Sequence, residues 1–187
     1  MLEEYAQVMR MLFDTESRRA SFTGTHFRLD HAPNNPKPLQ PRVPIWIGGR
    51  GEKRTLRAAA KFADGWNAPY IGPEEWIAKG KVLDRWCETE GRDPRTIART
   101  VNLGFYLGAD AKGAARGEQT FQSHFGKDPR DGFLRGTPKE MLPMLTRLGD
   151  AGCARVNIAF REGPYDWDAL HAFAETVFPV FGVRRPT

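Results

Sequence analysis

The sequence predicts an α/β fold in which about four parallel strands alternate with helices. Four short apolar runs have the composition of strands that a parallel sheet buries on both faces. They lie near residues 44–48, 64–68, 100–107 and 154–160. Segments with apolar residues at helical spacing follow at least three of these runs. Because strands that alternate with helices form β-α units, the sheet is expected to be parallel.

Local patterns predict the elements before the first of these strands. Apolar residues spaced by three and four predict a helix over 2–13. Alternating apolar positions predict a short hairpin over 18–29, with its turn near Thr23 and Gly24. Five prolines over 31–44 predict an extended surface segment, because proline restricts both itself and the residue before it.

Further helices are predicted in the second half of the chain. Pro73 suits the first turn of a long helix that stops at Gly91. A looser helix is expected over 111–125, followed by a loop. A capping-box sequence that starts at Thr137 begins another helix, and a closing helix spans 167–181.

A glycine-rich turn joins the first predicted strand to its helix. Gly48, Gly49 and Gly51 allow positive φ angles and a close approach of backbone to a ligand. The helix that follows directs unpaired N–H groups and the positive end of its dipole out of the turn. Lys53 and Arg54 add two positive charges there. The turn therefore suits a phosphate or another anion, but many such turns bind nothing, and the residues alone leave both interpretations open.

Two nucleotide-binding motifs are excluded at this turn. Gly51 is followed by Glu52, so the Gly-Lys-Ser/Thr of a P-loop is missing. A dinucleotide-binding fingerprint would need a third glycine where Arg54 occurs.

Length and composition are those of an ordinary globular domain. The chain has 187 residues, 40% hydrophobic and 27% charged, with a net charge of +5 and a pI near 9.4. This mild basicity fits an anionic small molecule, and without a dense basic run interleaved with aromatics we expect no nucleic-acid partner. The two distant cysteines, Cys87 and Cys153, indicate reduced thiols and a cytoplasmic protein. No apolar run approaches the ~20 residues of a membrane span, so no membrane association is expected.

Several phrases recur along the chain in the order found in one enzyme family. They are a proline-rich lead-in, Gly48-Gly49, Gly51-Glu52-Lys53-Arg54-Thr55-Leu56-Arg57, Ala63-Asp64-Gly65-Trp66-Asn67, Gly91-Arg92-Asp93-Pro94 and Gly136-Thr137-Pro138-Lys139-Glu140. In these phrases the chain resembles the bacterial luciferase-like monooxygenases, especially the branch that uses the deazaflavin coenzyme F420. The resemblance covers nearly the whole chain.

The resemblance implies the C-terminal half of a TIM (β/α)8 barrel. The chain, 1–187, would be a single partial barrel domain, with a hairpin and proline-rich insertion over 14–43. It implies an oxidoreductase that transfers a hydride between F420 and a small organic substrate, or alternatively one that uses FMN. Because the first four strands of the family fold are absent, the alternative is a truncated, non-catalytic half barrel that acts as an oligomer or as one part of a split enzyme.

The resemblance also implies where a cofactor phosphate would bind. The expected cofactor-binding residues are Gly48, Gly49, Arg50, Gly51, Lys53, Arg54, Thr55, Trp66 and Arg161. Trp66 is either a wall for the cofactor ring or a packing residue, and Arg161 either reaches the phosphate or is a solvated surface arginine. Asp64 is expected to cap or orient the turn rather than act as a base. No residue is assigned as catalytic, and the scattered histidines predict no metal site.

A half barrel leaves strands without neighbours. Two open sheet edges would display unpaired backbone groups, and apolar surface would face water at a cost of about 25 cal/mol per Å². We therefore expect the isolated chain to form a homo-oligomer, to join a complementing N-terminal half, or to expose a sticky surface.

Overall fold

A computed structural model of the chain describes residues 1–126, 131–160 and 166–182. The elements are α1 (Leu2–Phe13), β1 (Arg19–Thr23), β2 (Arg28–Pro33), β3 (Trp46–Gly48), α2 (Thr55–Phe62), β4 (Gly65–Pro69), α3 (Pro73–Thr89), β5 (Ala98–Leu107), α4 (Ala111–Phe125), β6 (Phe133–Gly136), α5 (Pro138–Asp150), β7 (Arg155–Ala159) and α6 (Trp167–Phe181), with a 3-10 turn at Pro94–Thr96. Two compact units form, one from Met1–Asn67 with Ala78–Arg99 and the other from Ala68–Ile77 with Thr100–Thr187.

The first unit contains the parallel pair β3–β4 and the helix that connects them. Trp46 is in register with Gly65, and Gly48 with Asn67. The connecting helix, α2, buries a face made of Leu56 and three alanines, whose small side chains allow close packing. Ala98, the first residue of β5, donates its N–H to the Asp64 carbonyl at 3.0 Å.

The hairpin is tied to the N-terminal helix by one carboxylate. Strands β1 and β2 pair in antiparallel fashion, and Glu4 of α1 accepts the N–H groups of His26 at 2.8 Å and Phe27 at 3.2 Å in the connecting turn. These hydrogen bonds hold the pKa of Glu4 below its usual value, against the raising effect of burial. The turn is therefore fixed by tertiary contact as well as by its own sequence.

The second unit is organised around β5. This strand pairs in parallel with β7 over Thr100–Gly104 and with β6 over Gly104–Leu107. Because Gly104 is in register with both Phe133 and Ala159, β6 and β7 flank β5 on opposite edges. A side chain at Gly104 would overlap the Phe133 ring, which explains the glycine inside this strand.

The predicted fold class is confirmed. The four predicted strands occur as β3, β4, β5 and β7, and they are parallel where pairs are described. The hairpin and all six predicted helices also form. Strand β6 was not predicted, because four residues that follow a glycine-containing polar segment give too short a pattern. Within the described ranges, none of the helices has the length and apolar composition needed to cross a membrane.

Candidate functional site

The glycine turn of the first unit follows β3 and leads into α2. Gly49 has φ of 128°, which an L-residue with a side chain rarely adopts. A Cβ added at Gly49 would lie 3.0 Å from Thr55 Cγ2, and one added at Gly51 would lie 3.0 Å from Thr55 Oγ1. The Thr55 side chain thus fills the space beside both glycines, and its hydroxyl lies in the turn. Glycine at these positions is required by backbone conformation and by the closeness of the first helical residue.

Strand β4 fixes the inner side of this turn. Gly49 donates its N–H to the Asn67 carbonyl at 3.0 Å, and its own carbonyl accepts from Trp66 Nε1 at 2.7 Å. Leu56 donates its N–H to the Gly51 carbonyl at 3.0 Å. Both the entry and the exit of the turn are therefore held by hydrogen bonds.

Helix α3 fixes the outer side of the turn through Glu52. The Glu52 carbonyl accepts from Trp86 Nε1 at 2.8 Å, and its carboxylate pairs with Lys79 Nζ at 2.8 Å. The hydrogen bond from Lys79 lowers the pKa of Glu52. The single acidic side chain of the turn is thus already paired with a cation.

The start of α2 has features that favour an anion. Arg54, at the N-cap position, makes no side-chain capping hydrogen bond, and the first turn contains no acidic residue. By contrast, α4 and α6 are capped by the carboxylates of Asp110 and Asp166. Lys53 and Arg54 are exposed, and neither side chain forms an ion pair with any residue that the structure describes. Arg50 is exposed in the same turn. The helix dipole and these cations together make the turn electropositive.

Asp64 lies at the other end of the β3–β4 pair and has a structural role. Its carboxylate accepts from Arg10 Nη2 at 2.7 Å, from Arg42 Nη2 at 2.8 Å and from the Ile45 N–H at 2.7 Å. Burial raises the pKa of Asp64, but these hydrogen bonds outweigh burial and bring the pKa to about 2. A carboxylate with this pKa is not a general base at neutral pH. It positions the beginning of β3 beside that of β4.

Trp66 is fully buried, with no exposed side-chain surface. Its burial and its hydrogen bond to Gly49 fit the packing role that the sequence left open. A contact between Trp66 and a cofactor ring stays a prediction. Arg161 lies outside the described residues, so the proposed contact of Arg161 with a phosphate also stays a prediction.

The structure brings most of the predicted site residues together and adds others. Residues 48–55 form one continuous turn, with Trp66 behind it. Sequence reasoning missed Asn67 as an acceptor and the two α3 residues, Lys79 and Trp86, which hold Glu52 from 27 and 34 positions away. No local pattern marks such distant partners. In the described part of the chain no cluster of metal-ligating side chains occurs.

Comparison with known proteins identifies the family. A family model described as luciferase-like monooxygenase matches residues 1–165. The chain belongs to the luciferase-like monooxygenase family. An uncharacterized protein of Mycobacterium tuberculosis is 35% identical over 66 residues, which are 35% of this chain and 23% of that protein.

Solved structures of luciferase-like proteins and F420-dependent enzymes share the fold. An F420-dependent secondary alcohol dehydrogenase, solved with an F420-acetone adduct, superposes with a TM-score of 0.73 at 19% identity. The F420-dependent tetrahydromethanopterin reductase of Methanopyrus kandleri gives 0.74 at 15%, and a long-chain alkane monooxygenase gives 0.73 at 16%. These alignments cover 93%, 96% and 99% of this chain but only 59%, 63% and 56% of the respective structures. The luciferase-like chain thus spans little more than half the length of each, and under a quarter of the mycobacterial relative.

Proposed function

We propose that this luciferase-like chain is the cofactor-phosphate-binding part of an oxidoreductase that transfers a hydride between F420 and a small organic substrate. The observation that carries the proposal is the uncapped, electropositive start of α2, where Lys53 and Arg54 have no described ion-pair partner. Membership of the family supports the redox chemistry. F420 would supply the hydride chemistry when bound, and the chain would anchor and orient it.

The residues of the turn fit a phosphate group. Two glycines leave the backbone free of side chains, the Thr55 hydroxyl lies beside them, and two cations flank the helix start. The acid of the turn, Glu52, is held by Lys79 and so leaves less negative charge to repel an anion. The further contacts of Arg50, Trp66 and Arg161 with the cofactor are part of the proposal.

FMN is the alternative cofactor. A riboflavin lyase with the same fold was solved with modified FMN, at a TM-score of 0.71 and 11% identity, whereas the two F420-dependent neighbours favour F420. Both cofactors carry a phosphate, so the turn serves either. The Gly-x-Lys-Arg-Thr phrase, which resembles the F420-dependent branch, is the reason for preferring F420.

A second candidate function follows from the length of the chain. The chain covers 56–63% of the three structures compared above, so it would be a non-catalytic half barrel or one part of a split enzyme. In both cases it binds the cofactor phosphate but lacks turnover alone. A cytoplasmic location is proposed for either candidate, on the two free cysteines.

Titration with F420 and with FMN, followed by fluorescence, tests the cofactor proposal. We expect one of them to bind with a Kd below about 1 mM. Replacing both cations (Lys53→Ala with Arg54→Ala) should weaken binding by about 1–3 kcal/mol, or about 5- to 150-fold, because charge-assisted hydrogen bonds contribute roughly that much.

A matched control removes the same charge elsewhere. Arg18 and Arg28 are exposed in the hairpin segment and form no ion pair with a described residue, so Arg18→Ala with Arg28→Ala should leave the affinity unchanged. Absence of binding by both cofactors would overturn the proposal. Equal affinities of the Lys53/Arg54 variant and wild type would exclude this turn from the binding site.

A further inference from the structure

An apolar groove lies within the second unit, among α5, β7 and α6. Its cavity volume is about 600 Å³. The lining includes Leu145, Val156, Ile158, Phe173, Phe178 and Phe181, and Arg155 is the one charged residue among the described lining residues. An apolar groove of this size is larger than the packing gaps of a finished core.

Helix α6 is apolar on more than the side it buries. Phe173 and Val177 are buried against the rest of the unit, at 6% exposure each. Phe178 and Phe181, which line the groove, remain 40% and 39% exposed. A helix that is apolar on several sides is usually covered on several sides, and clustered exposed aromatics indicate a contact surface.

Strand β7 has an edge that can accept another strand. It pairs in parallel with β5 over Arg155–Ala159, and the described residues supply no second strand beside it. Parallel sheets are normally covered on both faces and continue through β-α connections. An uncovered edge next to an apolar helix therefore fits a further β-α unit better than it fits water.

The solved relatives indicate how much chain would be needed to cover this surface. For the secondary alcohol dehydrogenase, 93% of 187 residues equals 59% of the relative, which leaves about 120 of its residues uncovered. The same calculation gives about 105 and about 145 residues for the reductase and the alkane monooxygenase. Four β-α units of a (β/α)8 barrel need about 125 residues, at about 31 per unit.

We propose that the groove and the free edge of β7 dock a second polypeptide that carries the four complementary β-α units of a barrel. Its first strand pairs in parallel with β7, and its apolar surface covers Phe178 and Phe181. This inference rests on the family fold and not on the cofactor proposal, so the two fail independently.

The test uses the N-terminal ~130 residues of the M. tuberculosis relative as probe, about the length of four β-α units. The full chain and the tagged probe are produced together and analysed by light scattering. We expect a 1:1 complex, a loss of hydrophobic-dye fluorescence relative to the chain alone, and at least about tenfold slower amide exchange over 155–159. Phe178→Lys should abolish the complex. Leu39→Lys, a control at a fully exposed apolar residue outside the groove, should not.

The chain alone provides a second measurement that does not depend on whether the probe folds. It should be a 21.1 kDa monomer that binds the dye, and Phe178→Lys should reduce dye binding several-fold while Leu39→Lys leaves it unchanged. Circular dichroism checks that both variants and the probe are folded. A homodimer that Phe178→Lys dissociates would overturn the proposal, because a second copy would then occupy the groove. A folded probe that forms no complex, or a complex that is insensitive to Phe178→Lys, would also overturn it.

Discussion

Asp64→Asn should destabilise the chain in a manner that depends on pH. The carboxylate is 22% exposed and accepts hydrogen bonds from Arg10, Arg42 and the Ile45 N–H. Its pKa falls from 3.8 to about 2 on folding, which corresponds to about 2 kcal/mol because one pKa unit is about 1.4 kcal/mol. The amide of asparagine cannot carry the charge that pairs with both arginines, so the variant should lose about 2 kcal/mol at pH 7.

The sign of the pH dependence follows from the lowered pKa. The stabilisation by Asp64 is complete above the unfolded pKa and is lost as pH falls through the folded value. At pH 3, between the two values, about half of it should remain, so the difference between wild type and variant should shrink to about 1 kcal/mol. Other carboxylates contribute equally to both proteins and cancel in this difference.

Urea unfolding of wild type and variant at pH 7 and pH 3, followed by circular dichroism, measures these free energies. Glu88→Gln is the control, because Glu88 is an exposed α3 residue of the same unit without a described ion-pair partner, and it should leave the unfolding midpoint unchanged. A loss of the same size at both pH values would refute the electrostatic explanation. No loss at pH 7 would refute the structural role of Asp64.

Two further predictions concern the turn after β3. Gly49→Ala should destabilise the chain by about 1–3 kcal/mol, because φ is 128° and the new Cβ would lie 3.0 Å from Thr55 Cγ2; Gly48→Ala, whose Cβ would lie 3.8 Å from its nearest neighbour, should cost much less in the same urea experiment, and equal costs would contradict this reasoning. Trp66→Phe should cost about 1–3 kcal/mol of unfolding free energy, because it leaves the Gly49 carbonyl without its 2.7 Å indole donor. An unchanged midpoint in that variant would show that the indole hydrogen bond does not hold the turn.

Most of the fold could be predicted from the sequence because its signals are local. The apolar runs that became β3, β4, β5 and β7 are contiguous, and the helices show their spacing and caps within a few residues. The four residues of β6 carried no such signal. Its position depends on pairing with Gly104–Leu107, which lie about 30 positions earlier.

By itself the sequence determined the glycine turn, the helix that follows it and the two cations at the helix start, since these features depend on neighbouring residues. Only the tertiary structure decided what surrounds the turn. Trp66 became a buried hydrogen-bond donor, Lys79 neutralised Glu52, and Asp64 acquired its arginine partners. These partners come from elements up to 54 positions apart, and whether a side chain is buried or paired depends on packing that brings distant segments together. Spacing along the chain carries no record of that packing.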